Sequence, residues 1–121
     1  MAIIKINKTE AARRQIDTAI RMLFDNEDPV AIHTIAMAGF RILRDLTASR
    51  DDSYMHKMVQ SIIKPGMESK FWGAMNSFSN FLKHAEVDPD ELYDNVQEEV
   101  NDIIISNSSN VLPRFRTSTY P

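Results

Sequence analysis

Apolar residues recur at three- and four-residue spacing along most of the chain, the period of a helix with one buried face. In the first such stretch Ala12, Ile16, Ala19, Ile20, Leu23 and Phe24 form one stripe, and Arg13, Arg14, Asp17 and Arg21 fall off it. Thr9 is the expected cap, with Glu10 in the first turn, where the helix dipole favours an anion. Asp28-Pro29 opens a second helix, a capping carboxylate followed by proline at the first helical position, and the pattern carries it to about Thr47. Its stripe of Ile32, Ile35, Ala36, Gly39, Leu43 and Leu46 is widened by Ala31, Ala38 and Ile42, so a helix packed on two sides is expected. Gly39 costs about 1 kcal/mol of helix propensity relative to alanine, and close approach of a neighbouring helix is the expected reason for it.

A polar loop over 48–53 leads to a shorter third helix, outlined by Tyr54, Met55, Met58, Val59 and Ile62 and stopped by Pro65-Gly66. The fourth runs from Glu68 to Ala85, with Phe71, Met75, Phe78 and Leu82 as its stripe and Trp72 and Phe81 beside it. For the fifth, Asp88 caps, Pro89 takes the first helical position and Glu91 completes a capping-box-like pattern. Leu92, Val96, Val100, Ile103 and Ile104 carry that helix to about Ile105. Residues 2–6 suit a brief strand or an extended lead-in. The polar run 106–110 reads as a linker, and the tail from Val111 as irregular, pinned by Leu112 and Phe115. The expected architecture is all-α: a four- to five-helix bundle in residues 1–105, then a polar linker and irregular C-terminal tail over 106–121.

Composition narrows the function classes. Apolar residues make up 43% of the chain and charged ones 26%, which suits a packed core rather than a disordered polymer. With no cysteine, disulfides, thiolate zinc sites and cysteine nucleophiles are excluded, as fits a reducing cytoplasm. A net charge of −3 argues against a strongly basic nucleic-acid module, which binds by neutralising phosphates, but leaves room for a local basic patch. No apolar run approaches the roughly 20 residues needed to cross a bilayer, so no membrane contact is expected. The opening residues turn polar too soon for a signal peptide.

The three histidines each admit two readings. His33, in the first turn of the second helix on the strip shared by Met37 and Arg44, is either a boundary histidine between core and solvent or a base or anion contact. His56 follows Arg50 by six positions, a spacing that can bind a phosphate and move a proton, or can be a solvated coincidence. At about 100° per residue, Asn76, Asn80 and His84 align on one edge of the fourth helix with Lys83 beside them. Such a strip can donate hydrogen bonds to a phosphate or a base edge, or can be the wet face of an amphipathic helix. Asparagine is a poor helix former, so two on one line need a reason. Glu86, Asp88 and Asp90 with His84 are too local for confident ligand geometry, and neither metal nor cofactor is expected. Gly39, Gly66 and Gly73 are too far apart for a phosphate loop.

The segment Asn80-Phe81-Leu82-Lys83-His84, on a helix that follows a helical hairpin and precedes a proline-capped helix, resembles the HEPN superfamily of small helical bundles found in toxin–antitoxin and defence systems. The segment 81–85 and the helix 28–46 also resemble a group of small bacterial proteins. The resemblance covers roughly residues 9–105 at the level of fold. It implies a homodimer in the bacterial cytoplasm that binds RNA or a nucleotide. In the active ribonucleases of that superfamily an arginine, usually followed by a polar residue, precedes a histidine by four to six positions. The two act together on the scissile phosphate across the dimer interface. Asn80 and His84 match the polar residue and the histidine, implying a metal-independent ribonuclease with His84 as acid/base and Asn80 positioning the phosphate. Ser79 stands at the arginine position and cannot supply its fixed cation. The expected binding residues are Asn76, Lys83, Arg44 and His33. A second expectation, from a different class, is a non-catalytic module that pairs with itself or a protein partner. A third is a metal-assisted hydrolase using histidine and acids.

Overall fold

The computed structural model describes residues 2–50, 53–84, 89–93 and 98–115 of the chain, without the side chains of Val59 and Ile62. Within them lie five α-helices and no strand: α1 (Lys8–Phe24), α2 (Pro29–Ser49), α3 (Tyr54–Ile62), α4 (Glu68–Lys83) and α5 (Glu98–Val111), followed by a 3₁₀ turn at Leu112–Arg114. The all-helical bundle is therefore as the periodicity predicted. Residues 2–6 are extended and unpaired, with Ile3, Ile4 and Ile6 exposed. Asn7, two residues before the expected Thr9, is the residue that caps α1: its Oδ1 accepts from the Glu10 N–H at 2.8 Å.

The turn between α1 and α2 is closed from both sides. Asn26 takes the left-handed conformation at φ 54°, which asparagine tolerates better than most residues. The Glu27 N–H then reaches the Met22 carbonyl and the Asn26 N–H that of Leu23, a Schellman ending that satisfies the last carbonyls of α1. Asp28 caps α2 as expected, its Oδ1 accepting from the Val30 N–H at 2.9 Å, with Pro29 inside the first turn. Phe24, assigned by the pattern to the stripe of α1, is 80% exposed, because the helix ends there and the chain turns away.

α2 is the central helix. Gly39 sits where α1 crosses it: a Cβ there would lie 2.8 Å from Ile16 Cδ1 and 3.2 Å from the Ala12 carbonyl oxygen. α4 runs antiparallel to α2, since Trp72 packs near Phe40 and Phe78 near His33. α5 runs parallel to it: the Asn101 amide near its start donates to the Pro29 carbonyl, and Phe115 beyond its end lies under Arg50. Ala12, Ile16, Ala36, Phe40, Leu43, Met75, Ile104 and Val111 fill the space between these helices. Burying each of the larger ones contributes roughly 1.5–3 kcal/mol relative to exposure.

The fifth helix departs from expectation. The Asp88 cap lies outside the described residues, Pro89 and Asp90 form a turn, and Glu91–Tyr93 are irregular, with Leu92 89% exposed. Proline after aspartate serves a turn as readily as a helix start, which is why the signal misled. The boundary drawn at residue 105 also fails, because the polar run 106–110 belongs to α5. Asn101, Ile104, Ile105, Ser108, Val111 and Leu112 keep helical spacing on the buried face, so packing overrides the low propensity of the serines and asparagines. Leu112 and Phe115 are buried, and the rest of the expected tail, 116–121, lies outside the described residues.

Candidate functional site

Residues 40, 44, 47 and 48 of α2 fall at three- and four-residue spacing and so share one face, which looks toward α3 and α4. Phe40, Thr47 and Ala48 from that face, Met55 from α3 and Trp72 from α4 enclose a mainly apolar cavity of about 380 Å³, with Arg44 and His56 also in its wall. The volume lies within the range of small-ligand sites, roughly 300–1,000 Å³. Trp72 is its principal surface. The indole lies 5.9 Å from the Phe40 ring and 5.5 Å, edge-on, from Phe71, while His56 stands 6.2 Å away with its plane only 7° off parallel.

The polar groups of this cavity differ in how far they are engaged. The Thr47 hydroxyl donates to the Arg44 carbonyl at 2.9 Å. Arg44 is partly exposed and meets Asp45 through Nε at 3.5 Å, leaving its two terminal amino groups without an ion-pair partner among the described residues. The buried Trp72 indole N–H likewise has no acceptor among them. Arg50 and Arg114 lie nearby but are laid on rings, 4.4 Å over Phe115 and 3.9 Å over Tyr54.

His33 occupies a different place. It is only 2% exposed, a core residue rather than one at the boundary, and its ring packs 4.7 Å from Phe78. Because the Asn101 amide nitrogen donates to the Pro29 carbonyl, its oxygen faces His33 at 3.1 Å and must accept a proton from Nδ1. The Nδ1 position therefore carries a proton, and Nε2 is buried without a partner among the described residues. Burial lowers its pKa, the Asn101 hydrogen bond opposes that, and the Arg41 charge lowers it further. A histidine so enclosed is a clamp between α2 and α5, out of reach of a solvent-borne substrate.

The α4 strip is a third location. Asn76 is half-buried, whereas Asn80, Lys83 and His84 are exposed. α4 ends at Lys83; the His84 N–H still closes on the Asn80 carbonyl at 3.1 Å, although its own dihedrals have left the helix. Ser79 is 3% exposed and faces the bundle, so the position at which the HEPN pattern places arginine points away from the strip. Phe78, on the opposite side of the helix from Asn80, is the residue that touches His33. Arg44 lies eleven residues beyond His33, about 16 Å along the axis at a rise of ~1.5 Å per residue. The expected binding residues are thus distributed over three sites: Arg44 at the cavity, His33 in the core, and Asn76, Asn80, Lys83 and His84 on the α4 edge.

Arg50 and His56 are not gathered on one ligand either, since each lies against a different ring. Asp51, Asp52, Glu86 and Asp88 lie outside the described residues. Among those described, no three histidine or acidic side chains converge on a point that could hold a metal ion. No helix there is long and apolar enough to cross a membrane. A hollow of about 340 Å³ at the other end of the bundle is lined by Leu23, Asn26, Glu27, Pro29, Ile32 and the first turn of α5. No family model matches the chain, nor does any curated protein or solved structure. Function is therefore argued from geometry.

Sequence reasoning named Arg44 as a candidate and did not name Phe40, Thr47, Met55 or Trp72, which line the same cavity. Trp72, the sole tryptophan, sits beside rather than on the stripe of α4, and that displacement was the available signal.

Proposed function

We propose that the protein is a non-catalytic binding module that takes a small ligand between α2, α3 and α4. The observation that carries this reading is the Trp72-walled cavity, which joins a flat aromatic surface to an arginine whose terminal nitrogens have no ion-pair partner among the described residues. Of the two ligands implied by the HEPN resemblance, a nucleotide fits this volume better than RNA. Cations near the cavity are single and interleaved with rings rather than massed as a phosphate track. A ribonuclease centre is not favoured, because Ser79, at the position where the HEPN pattern has arginine, turns into the core and cannot supply that cation beside the exposed His84.

Trp72 provides the test, since a sole tryptophan gives one indole N–H resonance. Small aromatic compounds titrated into the protein should shift it, and Ala48→Phe, which fills the cavity from an exposed wall position, should weaken that binding at least about tenfold without changing the melting temperature. The reading fails if no compound moves the resonance or if Ala48→Phe leaves binding unchanged. Turnover of single-stranded RNA that is lost in His84→Ala would restore the ribonuclease expectation in its place.

A further inference from the structure

The chemistry of the cavity wall selects among small ligands. A purely apolar guest would cover Phe40, Met55 and the face of Trp72 but would leave the Arg44 guanidinium in the wall without an anion. A purely ionic guest would meet Arg44 but gain nothing from walls that are almost wholly apolar. What satisfies both is a flat ring that brings its own acceptors. The near-parallel planes of Trp72 and His56 mean that a ring laid on one lies parallel to the other. Arg44 offers two terminal amino groups in the planar fork that suits a carboxylate or phosphate, with its Nε already turned to Asp45.

We infer that the ligand is a planar aromatic molecule carrying one anionic group, its ring against Trp72 and its anion on Arg44. This rests on the reading of the cavity as a ligand site and adds the class of ligand. The Thr47 hydroxyl is engaged by the Arg44 carbonyl and takes no part; it fixes the backbone from which Arg44 projects. Arg44 acts here through charge and geometry alone, and no bond is made or broken.

Four probes separate the possibilities: adenosine 5′-monophosphate, adenosine, indole-3-carboxylate and neutral indole, each titrated against the Trp72 indole resonance. At least one anion should bind about tenfold more tightly than its neutral counterpart, the scale of one charge-assisted hydrogen-bond pair. Arg44→Gln should erase that difference while leaving the neutral ring's affinity unchanged, and Arg44→Lys should restore part of it. A preference confined to the monophosphate identifies a nucleotide, and one confined to the carboxylate an aromatic acid. If neutral and anionic rings bind alike and Arg44→Gln changes neither, the ligand class is wrong although the cavity is a site. If none of the four binds, the site itself is lost with it.

Discussion

The two hollows of this bundle are nearly equal in size, about 340 and 380 Å³, and opposite in character. The first lies where α2 and α5 begin and is lined by Glu27, Glu98, Glu99 and Asp102; the second lies where α2 ends and is lined by rings. Volume does not separate them, whereas the chemistry of their linings does, carboxylates at one end and rings with a guanidinium at the other. At the acidic end Asn101 uses both amide atoms, one on Pro29 and one on His33, and the nearby Asp28 carboxylate caps α2. Acids at the starts of helices are also what the dipole favours without any ligand. At the aromatic end the Trp72 N–H and the Arg44 fork remain unmatched among the described residues. The Asn101 pairings hold the fold together, whereas the Arg44 fork beside aromatic walls suits a guest.

The largest effect that would sharpen this contrast is at the aromatic end. Phe40 is 1% exposed and backs Trp72, so Phe40→Ala should cost about 3–5 kcal/mol in urea unfolding. A cost under 1 kcal/mol would mean that the aromatic wall is not packed as described. At the acidic end, Asn101→Ala should cost about 1–3 kcal/mol, because it strands the His33 Nδ1 proton and the Pro29 carbonyl at once. It should leave ligand shifts at Trp72 unaltered; if those shifts vanish too, the two ends are coupled and the contrast is too simple.

The smallest effect is a slope with pH. Burial holds the pKa of His33 below its ordinary value of about 6.5, so between that value and the lowered one the unfolded chain binds more protons than the folded protein. Stability should therefore be complete above about pH 6.5 and decline as the pH falls toward the lowered pKa. Urea midpoints measured across that range should show the decline in the parent and a flatter profile in His33→Leu. An equal slope in both would place the titrating group elsewhere.

Elements with strong local punctuation were legible in the sequence. Asp28-Pro29 marked the start of α2 because capping is settled by adjacent residues, and Gly39 marked a close approach because it lies on the apolar stripe, whereas a Cβ at Gly73, off the stripe of α4, would meet nothing within 4 Å. α5 was shifted because its buried face uses Ser108 and Asn101 where an apolar residue would have kept the pattern visible. His33 resisted assignment for a related reason: its partner is 68 positions away, and no local spacing discloses such a pair. The cavity needed three helices to be brought together before Arg44 acquired neighbours. On the α4 edge, spacing aligned Asn80 with His84 correctly but could not tell that Ser79 faces inward.

The crossing at Gly39 has a mechanical consequence. A Cβ there would meet Ile16 at 2.8 Å and the Ala12 carbonyl oxygen at 3.2 Å, so any larger residue at position 39 must lever α1 off α2 or displace Ile16. The hollow walled by Trp72 lies on another face of α2, where α3 and α4 meet it through long side chains such as Met55 and Phe71.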